Sequence, residues 1–229
     1  MIDIIVPCLN RPPNAKPLVD SLAASNANAQ ITFVCTVGDR LQIKACEATG
    51  ANLLVVDWKA GPGDYARKIN WGFTHTESDY VFNGADDIDF KVGWDATALR
   101  QMRGRVGVVA TNDKANRQVM RGEFGTHCLI SRDYIDTHGG TFDGTPGVVL
   151  HEGYDHNFVD RELCEAAKRR RAFAFAPQSV VYHHHPLWRT AKWDPTYRKA
   201  LSRFRDDQTL FLERSRLAKR TPNRDIVVR

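Results

Sequence analysis

Over its first 110 residues the chain alternates short β-type runs with helix-type runs, and this alternation restricts it to a mainly parallel sheet covered by helices. Ile2-Asp3-Ile4-Ile5-Val6 forms a strand, closed by Pro7 and the Arg11-Pro12-Pro13-Asn14 turn. Leu18, Val19 and Leu22 then supply a helical apolar face. Strands are expected over 31–37 and 52–57, separated by a helix over 40–49 that Gly50 stops. After Gly61-Pro62-Gly63, Asp64 is placed to cap a helix with a buried stripe of Tyr65, Ile69 and Phe73. A fourth strand over 79–83 ends at the acidic loop Asp86-Asp87-Ile88-Asp89. A helix over 93–102 and a strand over 106–110 follow, then a Gly-rich stretch over 122–153 without readable periodicity. A helix over 155–170 precedes a strand that ends on His183-His184-His185. The last 35 residues read as amphipathic helices, with Leu201, Phe204, Leu210, Phe211 and Leu217 available to dock.

The length of 229 residues suits one domain plus a tail. No apolar run approaches the roughly 20 residues of a membrane-spanning helix, and no signal-peptide pattern opens the chain. The expected location is therefore the cytoplasm, without membrane insertion. Cys8, Cys35, Cys46, Cys128 and Cys164 are odd in number and lack a C-x-x-C pair, so they read as reduced, buried thiols rather than a disulfide framework or a cysteine zinc site. Charge is uneven: residues 189–229 hold 12 Lys/Arg against 5 Asp/Glu, and the rest holds 20 against 22.

Three carboxylates within four residues repel one another, and beside a buried strand they call for a compensating cation. A hard divalent ion with oxygen ligands would serve, bridging to a diphosphate. Taken alone, the loop reads equally as a solvated turn. Its place at the carboxyl end of a parallel strand is where open α/β sheets bind ligands. In a strand, His183 and His185 share one face and His184 takes the other, so the first two could ligate the same metal.

The run from Asp79 to Trp94 resembles the donor-binding segment of family 2 glycosyltransferases, in which a strand leads into a D-x-D-like motif and a Gly-Trp follows. Three further segments resemble that family in the same order: Ile4-Ile5-Val6-Pro7-Cys8-Leu9-Asn10-Arg11, Gly63-Asp64-Tyr65-Ala66-Arg67-Lys68-Ile69-Asn70, and Pro177-Gln178-Ser179-Val180-Val181-Tyr182-His183. The resemblance covers roughly residues 2–185 and looks closest to small bacteriophage-encoded members.

It implies a GT-A-like, Rossmann-related fold over residues 1–188, with a nucleotide-sugar half over about 1–110, an acceptor and catalytic half over about 111–188, and a basic helical extension over 189–229. It also implies a metal-dependent, inverting hexosyltransferase that uses Mn²⁺ or Mg²⁺ and a nucleoside-diphosphate sugar, a UDP-sugar first. Carried over by position, Asp87 and Asp89 with His183 and His185 are the metal candidates. Pro7, Asn10, Arg11, Asp39, Arg67, Asn70, Asp86 and Asp87 are the donor candidates, with Asp86 nearer the ribose. Inverting transfer needs a base for the acceptor hydroxyl. Asp160 and Asp155 are the candidates, and Asp160 with Glu162 matches the family pattern better.

Trp188 and Trp193 are acceptor candidates because aromatic rings stack on sugars and bases, whereas Trp94 reads as core. Arg198, Lys199, Arg203, Arg205, Arg214, Arg216, Lys219 and Arg220 recur at spacings that could form a phosphate-tracking stripe. Such a stripe would suit nucleic acid or an anionic membrane surface, and the resemblance to small bacteriophage-encoded members implies a hydroxymethylated pyrimidine in phage DNA, in the host cytoplasm, as one acceptor candidate beside a protein or a glycan. A nucleotidyltransferase and a non-catalytic sugar- or nucleic-acid-binding module are the competing classes. The first is disfavoured by Asn10-Arg11-Pro12-Pro13 where a Gly-rich phosphate loop would stand.

Overall fold

A computed structural model describes residues 1–220. Its first part follows the alternation: β1 (Ile2–Pro7), α1 (Ala15–Ser25), β2 (Ala29–Thr36), α2 (Arg40–Glu47), β3 (Asn52–Val56), α3 (Asp64–Thr74) and β4 (Tyr80–Asn83). Successive β1 side chains enter opposite cores, with Ile5 on one face and Ile4 and Val6 on the other. That double burial explains why the strand is apolar almost throughout. At the start of α3 the cap position is Gly63, not Asp64. Gly63 takes φ +73°, and a Cβ there would lie 2.3 Å from the Glu152 carbonyl, so only glycine fits. The Asp64 carboxylate instead accepts from Trp58 Nε1 at 2.9 Å and pairs with Lys68 at 2.8 Å.

The acidic segment does not stay a loop. After a turn at Asp86-Asp87 the chain forms β5 (Ile88–Phe90), which burial of Ile88 and Phe90 holds in place. Next come α4 (Trp94–Leu99), β6 (Val108–Asn112) and the short helix α5 (Arg117–Met120). The Gly-rich region contains β7 (Cys128–Ser131) and α6 (Arg132–His138), an element pair too short to leave a periodic signal. α7 (Val159–Arg169) begins four residues later than the sequence suggests, so Asp155 lies in the preceding loop. β8 (Phe173–His183) is continuous, and α8 (Pro195–Ser202) and α9 (Phe204–Arg220) complete the described chain.

The sheet order is β3-β2-β1-β4-β7-β6-β8-β5. β3, β2, β1 and β4 are mutually parallel, as are β6 and β8, while β7 and β5 pair antiparallel with their neighbours. Strand order reverses at β1, which lies between β2 and β4, and this reversal opens a crevice beyond the carboxyl ends of β1 and β4. Trp94 is fully buried, as read. In the C-terminal segment Phe211 is buried and stacks on Phe158, with Phe204 against the same ring, whereas Leu201 and Leu217 remain exposed. No described helix is long and apolar enough to cross a membrane.

Candidate active site

The crevice is a cavity of about 620 Å³, and segments from distant parts of the sequence bring side chains to it. The first is the turn after β1. Asn10 takes φ +55° and its N–H donates to Asp39 Oδ2 at 2.6 Å, while the Arg11 N–H donates to Gln42 Oε1 at 2.8 Å. Both bonds tie the turn to the start of α2, and they aim the Arg11 guanidinium across the carboxyl end of β4. There it meets Asp86 and Asp87, each at 3.1 Å, and Asp194 at 2.8 Å. Its Cζ lies 3.9 Å from the centre of the Tyr197 ring.

One guanidinium facing three carboxylates leaves the site short of positive charge. Burial and the charge of Asp87 push Asp86 up to about 7, against the pull of Arg11. Burial also opposes ionisation of Asp87, but His183, Arg11 and the Tyr197 hydroxyl together hold it well below the usual carboxylate range. The Tyr197 O–H donates to Asp87 Oδ2 at 2.6 Å and the His183 Nε2 stands 3.5 Å from Oδ1. Burial works against the His183 imidazolium, yet Asp87, Asp113 and Asp160 raise it above the ordinary histidine value.

Two buried polar atoms of the site are left without a hydrogen bond. Asp87 Oδ1 and His127 Nε2 accept no hydrogen bond among the described residues. The His127 Nδ1 lies 2.8 Å from the Asn83 carbonyl, which can only accept, so the proton sits on Nδ1 and Nε2 keeps its lone pair. Burial and the neighbouring His183 charge bring His127 down to about 4, so it is neutral near pH 7.

At the opposite wall, Asp160 opens α7. Its Oδ1 accepts from the Arg161 N–H at 2.8 Å, and burial pushes its carboxyl up to about 6 against that bond and the nearby Arg161 and His183 charges. Asp155 also faces the cavity, with Arg203 Nε at 3.5 Å. Its loop is held by Asp207 of α9, whose carboxylate accepts the backbone N–H groups of Asp155, His156 and Asn157 at 2.6, 3.1 and 2.7 Å. Trp188 and Trp193 line the mouth.

The structure therefore brings Pro7, Arg11, Asp86, Asp87, Asp155, Asp160, His183, His185, Trp188 and Trp193 to one cavity. The alternation of the histidine run also holds, since His184 turns away and its Nε2 lies 3.0 Å from Asp89. Asp89 lies in β5, pairs with His184 and Lys91, and lines a smaller cavity whose walls Asp86 and Asp87 share, not the larger one. Asp39 caps α2 by accepting from the Gln42 N–H, and Asn10 contributes its turn geometry. Arg67 packs on Trp58 and bonds the Lys59 carbonyl. Asn70 accepts the N–H groups of Val149 and Leu150 and donates to Leu150 and Glu152, so it pins a loop instead of facing a ligand. The basic stripe is broken as well, because Arg214 is spent on Glu162 and Asp143 and Arg203 on Asp155 and Asp206. Arg224 and Arg229 of the tail lie outside the described residues. His127, Asp194 and Tyr197 were not legible as site residues; the Asp194-Pro195 cap signal predicts a helix start but not what it touches.

No protein-family model and no curated protein sequence matches the chain. Solved structures do match its fold. Glucosyl-3-phosphoglycerate synthase from Mycobacterium tuberculosis, in complex with Mn²⁺, uridine diphosphate and phosphoglyceric acid, superposes with a TM-score of 0.60 at 15% identity, covering 93% of this chain and 78% of that one. A mannosyltransferase from Pyrobaculum calidifontis, in complex with GDP-mannose and Mn²⁺, gives a TM-score of 0.60 at 15% identity, with 95% and 73% covered. At these identities the likeness is one of fold: a mixed α/β, mainly parallel sheet flanked by helices, of the GT-A-like type.

Proposed function

We propose that this chain is a metal-dependent, inverting glycosyltransferase that moves a sugar from a nucleoside-diphosphate sugar to an acceptor hydroxyl. The observation that carries the reading is the buried Asp86–Asp87–Arg11–His183 cluster at the carboxyl ends of β1 and β4. It lies on a sheet shared with sugar transferases whose structures hold UDP or GDP-mannose with Mn²⁺. Asp87 Oδ1, which accepts no hydrogen bond among the described residues and faces His183 Nε2 at 3.5 Å, fits a cation, and Asp87 with His183, and His185 beside them, would hold it. A divalent ion there supplies charge neutralisation for a diphosphate leaving group.

The chain's own residues provide the rest. Arg11 and the Tyr197 hydroxyl fix the Asp87 carboxylate in one orientation. Asp160 is the proposed base: Arg161 N–H engages Oδ1, so Oδ2 is the oxygen that takes the acceptor proton. A pKa near the working pH suits that task. Trp188 and Trp193 offer stacking surfaces for the acceptor, with Lys199 on the same wall. The acceptor proposed first is a hydroxymethylated pyrimidine in phage DNA, with a protein or glycan hydroxyl as the alternative.

The test is incubation with Mn²⁺ and a panel of nucleotide sugars, reading donor hydrolysis and thermal shift. Release of nucleoside diphosphate from one donor supports the reading, and no response to any nucleoside diphosphate or its sugar sinks it. For the acceptor, retention on DNA that weakens as salt rises supports a DNA substrate. Salt-independent passage over DNA with transfer to a protein or glycan overturns that choice.

A further inference from the structure

Three of the five cysteines converge although they come from separate elements. Cys8 follows β1, Cys35 lies in β2 and Cys46 in α2, and each is at most 1% exposed. Their sulfurs all lie within 4.8 Å of one another. We propose that Cys8, Cys35 and Cys46 form a site for one thiophilic cation of the Zn²⁺ or Cu(I) class, separate from the Asp87–His183 cluster.

A metal–sulfur bond of about 2.3 Å places tetrahedral sulfurs roughly 3.8 Å apart, and Cys35 Sγ and Cys46 Sγ are separated by 3.7 Å. That distance also suits two thiols in simple contact, as Cys128 and Cys164 are at 3.7 Å. What distinguishes the first group is its chemistry. It has a third sulfur, which completes a trigonal donor set. The Gln42 Nε2 amide donates to Cys46 Sγ at 3.4 Å, an interaction that favours the thiolate. The Cys35 thiol also donates to Cys46 Sγ, so two donors converge on that sulfur. Buried Lys68, paired with Asp64, donates to the Cys8 carbonyl at 2.9 Å and fixes the backbone that carries the third sulfur.

Thiolates select soft cations, while Mn²⁺ and Mg²⁺ prefer oxygen, so the two sites would not compete. On binding, the metal forms bonds to three sulfurs, and each thiol that was protonated releases its proton to solvent. The cation would staple β1, β2 and α2 together directly beneath the turn that aims Arg11. Gln42 links the two sites, since its Oε1 accepts the Arg11 N–H.

The experiment uses the full chain, reduced and freed of metal, titrated with Co²⁺ as a spectroscopic stand-in and then with Zn²⁺. The expected result is an intense sulfur-to-cobalt charge-transfer band saturating at one equivalent, and a Tm raised by several degrees with Zn²⁺. Both should vanish in Cys46→Ala and persist in Cys128→Ala. Should Cys46→Ala fail to fold, Cys35→Ala takes its place, and the wild-type titration decides independently. No charge-transfer band in the wild-type chain, or a band kept by Cys46→Ala and Cys35→Ala, overturns the proposal. The Asp87 site gives no thiolate band, so either outcome leaves the transferase reading to its own test.

Discussion

Asp86, Asp87 and Asp160 are three carboxylates whose environments drive them apart, and the proposed function gives them different tasks on that ground. Asp87 is held ionised by His183 and Arg11, whereas burial leaves Asp86 near 7 and Asp160 near 6. Replacing Asp87 by Asn is expected to lower Mn²⁺-supported kcat/KM by roughly 10²- to 10³-fold, with near-wild-type far-UV circular dichroism as the check on folding. Asp160→Asn is expected to lower kcat by about 10²- to 10⁴-fold. A base must be deprotonated to act, so wild-type kcat should rise with pH through a limb near 6. In Asp160→Asn the residual activity should lose that limb, and a pH–rate series reads both. If Asp155 is the base instead, Asp155→Asn alone will produce the collapse. Stability gives a second signature of the same shift. The folded-state value of Asp160 lies above its unfolded value of about 3.9. Its contribution is therefore fully present below pH 4 and is lost as pH rises through 6. Asp160→Asn should raise Tm relative to wild type at pH 8 and change it little at pH 4.

At the scale of elements, α9 does more than cover an apolar face. Asp207, only 3% exposed, gathers three consecutive backbone N–H groups of the loop that carries Asp155 into α7. Charge-assisted bonds of this kind each contribute about 1.5–3 kcal/mol. Asp207→Ala is expected to destabilise by about 3 kcal/mol and to lower kcat more than it raises KM, because it loosens the wall bearing the proposed base. Urea unfolding and steady-state kinetics measure the two effects. Two turns further along α9, Arg214 pairs with Glu162 at 2.7 Å. Glu162 is 1% exposed and also receives the Tyr154 hydroxyl at 2.6 Å and the Phe142 N–H at 2.9 Å. Removing the arginine strands a buried charge, a loss of about 3–5 kcal/mol. In Arg214→Ala the urea midpoint should fall with the slope unchanged.

For the whole molecule, the described residues beyond 188 help to line the candidate site. Asp194 and Tyr197 reach Arg11 and Asp87 across more than a hundred residues of sequence, while Phe211 seals the core beside Phe142 and Phe158. A chain ended at 188 is expected to unfold at a markedly lower temperature, with a broadened transition, and to lose transfer activity. Calorimetry of the shortened chain checks this, and a sharp wild-type-like transition would show that the tail is a separable appendage.

Local pattern alone determined the fold class and the first four strands. Burial on both faces makes each central strand a continuous apolar run, and Gly or Pro closes it. Local pattern also located Asp86-Asp87 at a strand end and placed His183 and His185 on one face, since alternation is a property of any strand. Tertiary structure decided which of the acidic residues act together. A turn at Asp86-Asp87 followed by pairing of β5 with β8 sends Asp89 to His184 and leaves Asp87 with Arg11, and no feature of Asp86-Asp87-Ile88-Asp89 itself encodes that partner strand. His127, Asp194 and Tyr197 entered the site in the same way. Each is ordinary within its own segment, and only long-range packing, which sequence spacing does not record, aims them at one point.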